Sequence, residues 1–276
     1  MSSTVRHIIT HGHIFKNAGT TLDWSLARNF GAGFLDHRDD AAMRADGPAH
    51  LAQIVQDQPE LQAISSHHMV YPLPAIRGVS FVPVYLLRHP IERIASVYTF
   101  ERQQDADTPG AEMAKKTSFV EYVKWRMRAD VPRTIRDYQC FNLAGCKRGG
   151  GGMLPRTILL EALEQVDRNP CIGVVDRYDE SMVALEVVLA ESGFADIDLA
   201  YLHQNATRKV HGVSLGKRVQ RVGKDLGELL AEVIDANSYD LALYRLANQR
   251  LDQMIAGIEG FEGKMESFKR RCRALC

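Results

Sequence analysis

The sequence predicts an α/β protein, a parallel sheet flanked by helices, in one domain spanning residues 1–276. Three observations predict it. An apolar run beginning at residue 7 passes through a small-residue turn into an amphipathic helix. A second, VSFVPVYLL, passes through Arg-His-Pro into another helix, and a third, CIGVVDRY at 171–178, leads into ESMVALEVVLAESG. Alternation of this kind buries parallel strands on both faces and joins them through helical crossovers. With 276 residues, 45% of them hydrophobic, the chain has enough apolar surface to build a substantial core.

Composition narrows the function classes. Acidic and basic residues number 34 each, so no global field favours nucleic acid or an anionic membrane, and any anion recognition has to be local. No apolar stretch approaches the ~20 residues of a spanning helix. The start MSSTVRHIIT lacks the basic and apolar regions of a signal peptide. The expectation is a cytoplasmic protein with no integral membrane segment and no nucleic-acid partner. Cys140, Cys146, Cys171, Cys272 and Cys276 contain no CxxC pair, which excludes a zinc ribbon and a thioredoxin-type motif and leaves buried thiols as the expectation. The tail KRRCRALC does not end in a prenylation box. No coiled-coil repeat identifies an oligomer interface.

The first strand, turn and helix form HIITHGHIFKNAGTTLDWSLARNF, residues 7–30. Backbone N–H groups at a helix start lack intrahelical partners, and the macrodipole adds roughly half a positive charge there, which suits a phosphate or sulfate. Ala18 and Gly19 let the main chain approach an anion, Thr20 and Thr21 add hydroxyl donors, and Lys16 brings a charge. Leu22, Leu26 and Phe30 give the helix one apolar face. A nucleotide loop of the ATP type places its lysine directly before the hydroxyl residue that holds magnesium. Here the lysine precedes Gly19 instead, which argues against an ordinary kinase or ATPase.

The next segment, AISSHHMVYPLP, reads as a short strand over Leu61–Ser65 running into a loop bounded by Pro72 and Pro74. His67 and His68 sit at its mouth, and histidine suits proton removal near neutrality. His11 and His13 alternate along the first strand, share one face, and are expected to hydrogen-bond around the turn. In the following strand and helix, Arg88 ends the strand, Pro90 opens the helix, and Ser96 falls on its second turn. One anion can face both Arg88 and Ser96.

The remaining elements are mostly helical. Ser118 and Glu121 form a capping-box pattern ahead of FVEYVKWRMRAD, and Pro132 opens RTIRDYQCFNLAG. Lys147-Arg148 and the glycines 149–152 read as a surface loop. RTILLEALEQVDRN is read as a helix. Asp179 is expected to cap the helix after 171–178, and strand 171–175 is expected beside the first strand. Residues 201–218 form a polar, basic link, and DLGELLAEVIDAN and YDLALYRLANQRLDQMIAGI close the chain as helices.

Lys-x-[AG]-Gly-Thr-[ST] after a strand resembles the 5′-phosphosulfate loop of sulfotransferases that use 3′-phosphoadenosine 5′-phosphosulfate (PAPS). Arg-His-Pro-x-x-Arg-x-x-Ser-x-Tyr, beginning at Arg88, is similar to the 3′-phosphate motif of that family, in which Asp more often stands at the position of His89. The resemblance implies a P-loop-like sheet, the sulfotransferase fold. It assigns the donor to Lys16, Asn17, Ala18, Gly19, Thr20, Thr21, Arg88 and Ser96, with Arg208 and Lys209 mapped onto a late loop over the nucleotide. His68-Met69-Val70-Tyr71 resembles the Gly-His-x-x-Tyr pattern of heparan and uronyl 2-O-sulfotransferases, which makes His68 the implied base ahead of His67. The closing helix that contains Asp240, Leu243, Tyr244 and Ala247 also resembles that of this family.

The implied reaction moves a sulfuryl group from PAPS to a hydroxyl of a carbohydrate, glycolipid or secondary metabolite. Lys16 would neutralise charge on the leaving oxygen, adenosine 3′,5′-bisphosphate would be the product, and no metal is required. The 2-O-sulfotransferases that the His68 pattern resembles are membrane-anchored Golgi enzymes, and since no anchor is legible in this sequence the expectation is a soluble bacterial member of the family. The rival readings are a P-loop-like small-molecule kinase or other phosphoryl transferase, and a non-catalytic nucleotide-binding module.

Overall fold

The computed structural model describes residues 5–69, 71–144, 156–202 and 213–275. Along the chain run β1 (Arg6–Gly12), α1 (Gly19–Phe30), β2 (Phe34–His37), α2 (Asp40–Asp57), β3 (Ala63–Ser66), β4 (Val79–Leu87), α3 (Pro90–Gln103), α4 (Pro109–Lys116), α5 (Phe119–Met127) and α6 (Tyr138–Leu143). There follow α7 (Arg156–Arg168), β5 (Ile172–Val174), α8 (Tyr178–Glu191), α9 (Leu215–Leu226), α10 (Leu230–Asp235), α11 (Ser238–Gly257) and α12 (Phe261–Ala274). They group into two units: Met1–Leu87 with Glu164–Gln204 and Leu246–Cys276, and Arg88–Leu163 with Asn205–Arg245. No described helix is long and apolar enough to cross a membrane.

The first unit holds a five-stranded sheet in the order β2-β3-β1-β4-β5, parallel throughout. Successive side chains of β1 point to opposite faces. Ile8 packs with Leu51 and Val55 of α2, whereas Ile9 packs with Leu22 and Leu26 of α1, Met182 and Leu185 of α8, and Phe268 of α12. Both faces are thus covered, as a parallel sheet requires. From β1 the chain builds β2 and β3 on one side and then crosses to β4 on the other. The carboxyl end of β1 is therefore the topological switch point, where open α/β sheets bind ligands.

Two expectations about this unit need correction. Strand 171–175 does not lie beside the first strand. β4 takes that place, in register from Arg6 opposite Val79 to Gly12 opposite Tyr85, and the short β5 extends the far edge of β4. Asp179 does not cap α8, which already begins at Tyr178. Its carboxylate accepts a hydrogen bond from the Tyr201 hydroxyl at 2.8 Å. The edge strand β2 and the helix α2 were not legible, since Pro48 and the non-helical Asp46 interrupt α2. Cys140 and Cys171 are buried and Cys272 is half-buried, and burial pushes the Cys171 thiol up to about 12. Cys146 and Cys276 lie outside the described residues.

The second unit is helical among the described residues. The capping box at Ser118 and Glu121 is present in both directions at the start of α5. Arg126 of α5 pairs with Glu101 of α3 at 2.5 and 2.7 Å, and the Tyr122 hydroxyl donates to the same carboxylate. The helix opened by Pro132 in the sequence begins only at Tyr138. Asp137 adopts a left-handed φ of 41°, and its carboxylate accepts the amides of Tyr239 and Asp240 at 3.0 and 2.9 Å. Part of the segment 201–218, read as a polar, basic link, belongs to α9, which begins at Leu215.

Asp137 and Asp240 make this unit sensitive to pH. Burial, and after it the neighbouring Asp240 charge, push the Asp137 carboxyl up to about 7. The folded protein then holds a proton that the unfolded chain releases. The associated stability is complete below about pH 4 and is lost as pH rises through about 7. Asp137→Asn keeps an acceptor for both amides and tolerates the left-handed backbone. Urea unfolding should show the variant about 2–4 kcal/mol more stable than the parent at pH 8, with the difference vanishing near pH 4. Parallel pH profiles for the two proteins would refute this.

Candidate active site

At the carboxyl end of β1 the chain turns sharply before α1. Lys16 and Ala18 both take left-handed conformations, with φ of 65° and 58°. Non-glycine residues populate this region at a cost on the order of 1 kcal/mol each. Asn17 between them is buried, and its side-chain amide donates to the Leu86 carbonyl at 2.7 Å, which ties the turn to the end of β4. The amides of Thr21 and Leu22 both reach the Ala18 carbonyl. The helical ladder starts there, so the N–H groups of Ala18, Gly19 and Thr20 precede its first donor, Thr21, and have no acceptor within the helix. Thr20 is exposed, Thr21 is buried, and Lys16 is half-buried.

Below the turn lies a histidine cluster. Asp23, on α1, accepts from His11 Nδ1 at 2.7 Å and from His13 Nδ1 at 2.8 Å, and all three side chains are buried. Burial alone would raise the Asp23 carboxyl, but the charges and hydrogen bonds of His11 and His13 outweigh it and hold the group well below the usual carboxylate range. Arg38 stands 3.8 Å from the same carboxylate, and Ser65 Oγ lies 3.2 Å from His11 Nδ1. The expectation that His11 and His13 hydrogen-bond around the turn holds, with Asp23 as the partner that sequence reasoning missed. Its place one turn into α1 was legible, but that spacing alone does not aim the carboxylate at the histidines.

His67 and His68 follow β3, and the backbone of His13 bonds to Ser66 at 3.0 Å. The two rings differ in surroundings. His67 Nδ1 donates to the His13 carbonyl at 2.8 Å, and its ring centroid is 4.1 Å from that of His13. Burial first, and then the His13 charge, lower its pKa to about 4. His68 Nε2 faces the Asp40 carboxylate at 3.2 Å. A carboxylate on one ring nitrogen stabilises the imidazolium that forms when the other takes a proton.

Arg88 and Ser96 belong to the second unit. The Gln139 side chain clamps the Arg88 backbone, accepting its amide at 2.8 Å and donating to its carbonyl at 2.9 Å. Asp240 in turn accepts from the Gln139 and Cys140 amides at 3.1 and 2.8 Å. The Arg88 guanidinium lies 3.4 Å from the buried Glu92 carboxylate, which Arg218 also approaches at 3.4 Å. Ser96 is half-buried on the second turn of α3. Gln139 and Glu92 carry no motif that could have marked them in advance. Arg208 and Lys209 lie outside the described residues, as do Val70, Lys147 and Arg148.

No family model matches the chain. A protein of Archaeoglobus fulgidus described as "Uncharacterized protein" is 31% identical over 250 residues, which cover 87% of this chain and 95% of that protein.

Proposed function

Since the chain belongs to one family with that Archaeoglobus fulgidus protein, whose description assigns no activity, we propose the function from the residues themselves: a PAPS-dependent sulfotransferase acting on a hydroxyl acceptor. The observation that carries this reading is the Lys16–Thr21 turn at the switch point of the sheet, opening α1. The Arg88 to Tyr98 motif, which resembles the 3′-phosphate site of such enzymes, supports it. The P-loop-like sulfotransferase fold is part of the same proposal. Its coarser form, a parallel sheet flanked by helices, is observed.

In the proposed reaction the acceptor oxygen attacks sulfur in line, and its proton passes to His68. The bond from sulfur to the bridging oxygen breaks, and adenosine 3′,5′-bisphosphate leaves with the electron pair. Lys16 neutralises the leaving oxygen, while Asn17, Ala18, Gly19, Thr20 and Thr21 cradle the 5′-phosphate and Arg88 and Ser96 hold the 3′-phosphate. Arg208 and Lys209 complete the proposed donor site. The acceptor class remains a carbohydrate, glycolipid or secondary metabolite, and no metal enters the reaction.

Calorimetry tests the donor. Adenosine 3′,5′-bisphosphate should bind without metal, and Arg88→Ala should weaken it on the order of 10–100-fold, the loss of one charge-assisted contact. The variant should bind adenosine 5′-phosphosulfate, which lacks the 3′-phosphate, as the parent does. Tight ATP binding that depends on magnesium would instead establish a phosphoryl transferase. Binding without turnover across a broad acceptor panel would leave a non-catalytic module.

A further inference from the structure

We propose that His13 senses the anion: an oxyanion bound at the start of α1 draws a proton onto His13 Nε2, so binding takes up a proton, with Asp23 as the fixed countercharge. The proposal rests on the reading of the Lys16–Thr21 turn as an oxyanion site, and it does not require sulfuryl transfer.

The geometry points to His13. The ring is 6% exposed, and its Nδ1 is 2.8 Å from Asp23 Oδ2. A carboxylate only accepts, so Nδ1 carries the hydrogen, and in the neutral ring Nε2 presents a lone pair. The ring lies against Gly19, the first residue of α1. A Cβ built at Gly19 would stand 2.4 Å from His13 Nε2 and 2.2 Å from Cδ2. Only glycine allows this approach. Nε2 has no hydrogen-bond partner among the described residues. A lone pair at that position repels an oxyanion, whereas a protonated Nε2 donates to it. One proton converts an unfavourable neighbour into a charge-assisted donor.

The surrounding charges determine when that proton is present. Asp23 faces His13 from α1, His11 from β1, and His67 from the end of β3. Arg38 follows β2, Asp40 opens α2, Lys16 lies in the turn, and Tyr178 approaches Asp23 from α8. Burial first lowers the His13 pKa below its ordinary value, and His11 and Arg38 add to this against the pull of Asp23. Without an anion the ring is therefore neutral at pH 7.5. His67, lowered to about 4, is neutral as well, and the Tyr178 hydroxyl, raised by burial, keeps its proton. A dianion beside Nε2 reverses the balance at His13. Asp23 keeps its own charge, so the new imidazolium has a countercharge on each side.

Inorganic sulfate is the probe, because it stays dianionic from pH 5 to 9 and brings no titrating proton of its own. Titration calorimetry of the full chain at pH 7.5, in buffers of different ionisation enthalpy, should show uptake of about one proton per sulfate. The association constant should fall about tenfold between pH 7 and 8, the slope of one linked proton. His13→Gln should bind sulfate with no proton uptake and a flat pH profile. If that variant fails to fold, Asp23→Asn should move the pH dependence to lower pH by removing the countercharge.

Absence of proton uptake in the parent, or uptake unchanged in His13→Gln, would overturn the proposal. Stoichiometric transition metal in the purified protein would do so too, since His11, His13 and Asp23 place ligand-type atoms within 4.8 Å of one another. Failure to bind sulfate at all would refute the oxyanion reading of the turn together with this inference. Linked sulfate binding without PAPS turnover would leave this inference standing and remove the proposed reaction, and turnover without proton linkage would do the reverse.

Discussion

His68→Ala is expected to lower kcat for sulfuryl transfer about 10³-fold, the range of a lost general base, with the affinity for adenosine 3′,5′-bisphosphate unchanged. The base acts on the acceptor and does not hold the donor, so the loss belongs in the chemical step. Asp40→Asn should reproduce a smaller part of it, because the Asp40 carboxylate faces His68 Nε2 at 3.2 Å and stabilises the imidazolium that proton transfer creates. His67→Ala is the informative control. With a pKa lowered to about 4 by burial and by His13, His67 is a weak proton acceptor at neutral pH, and its hydrogen bond to the His13 carbonyl makes it part of the support of the turn. If His67→Ala abolished turnover with donor binding intact while His68→Ala did not, the base would be His67.

Gly110→Ala is expected to destabilise the helical unit by about 3–5 kcal/mol, the cost of breaking a buried ion pair. A Cβ at this position would lie 2.1 Å from Arg126 Nη2 and 2.6 Å from both Glu101 carboxylate oxygens. Arg126 and Glu101 are 5% and 6% exposed. Neither side chain can yield without leaving the other charge buried, and the Tyr122 hydroxyl would lose its acceptor as well. Urea unfolding with fluorescence detection reads the effect, since Trp125 lies in this unit, with the Arg126 guanidinium 4.6 Å from its ring centroid. An unchanged midpoint would show that α4 shifts to accommodate the methyl group.

The histidine cluster shows how far sequence reading reached into the site. Alternation along β1 put His11 and His13 on one face, and the small-residue turn located the helix start. Neither pattern identified Asp23 as the group that joins the histidines, because helical spacing alone cannot distinguish a carboxylate turned under a sheet from one turned to water. The support of Arg88 was equally hidden. Gln139 clamps its backbone and Asp240 holds the Gln139 amide, over sequence separations of 51 and 101 residues. Isolated polar residues in helical segments give no sign of such pairings.

The order of the sheet separates local from tertiary information. Local chemistry determined that Arg6–Gly12 and Val79–Leu87 are strands, that Pro90 opens a helix, and that residues 16–21 turn sharply ahead of another. Apolar runs, a proline that lacks an N–H, and small residues at a turn act within a few positions of the chain. Only the tertiary structure decided that β4 lies beside β1 and that β5 is displaced to the edge. It also decided that a single aspartate serves two histidines below the turn. Strand partnership depends on which edge can be paired along its whole length, and β4 matches all of β1 whereas β5 spans only Ile172–Val174. Burial decided the rest: where water is excluded, each polar group needs a partner from elsewhere in the chain, and no local pattern names it.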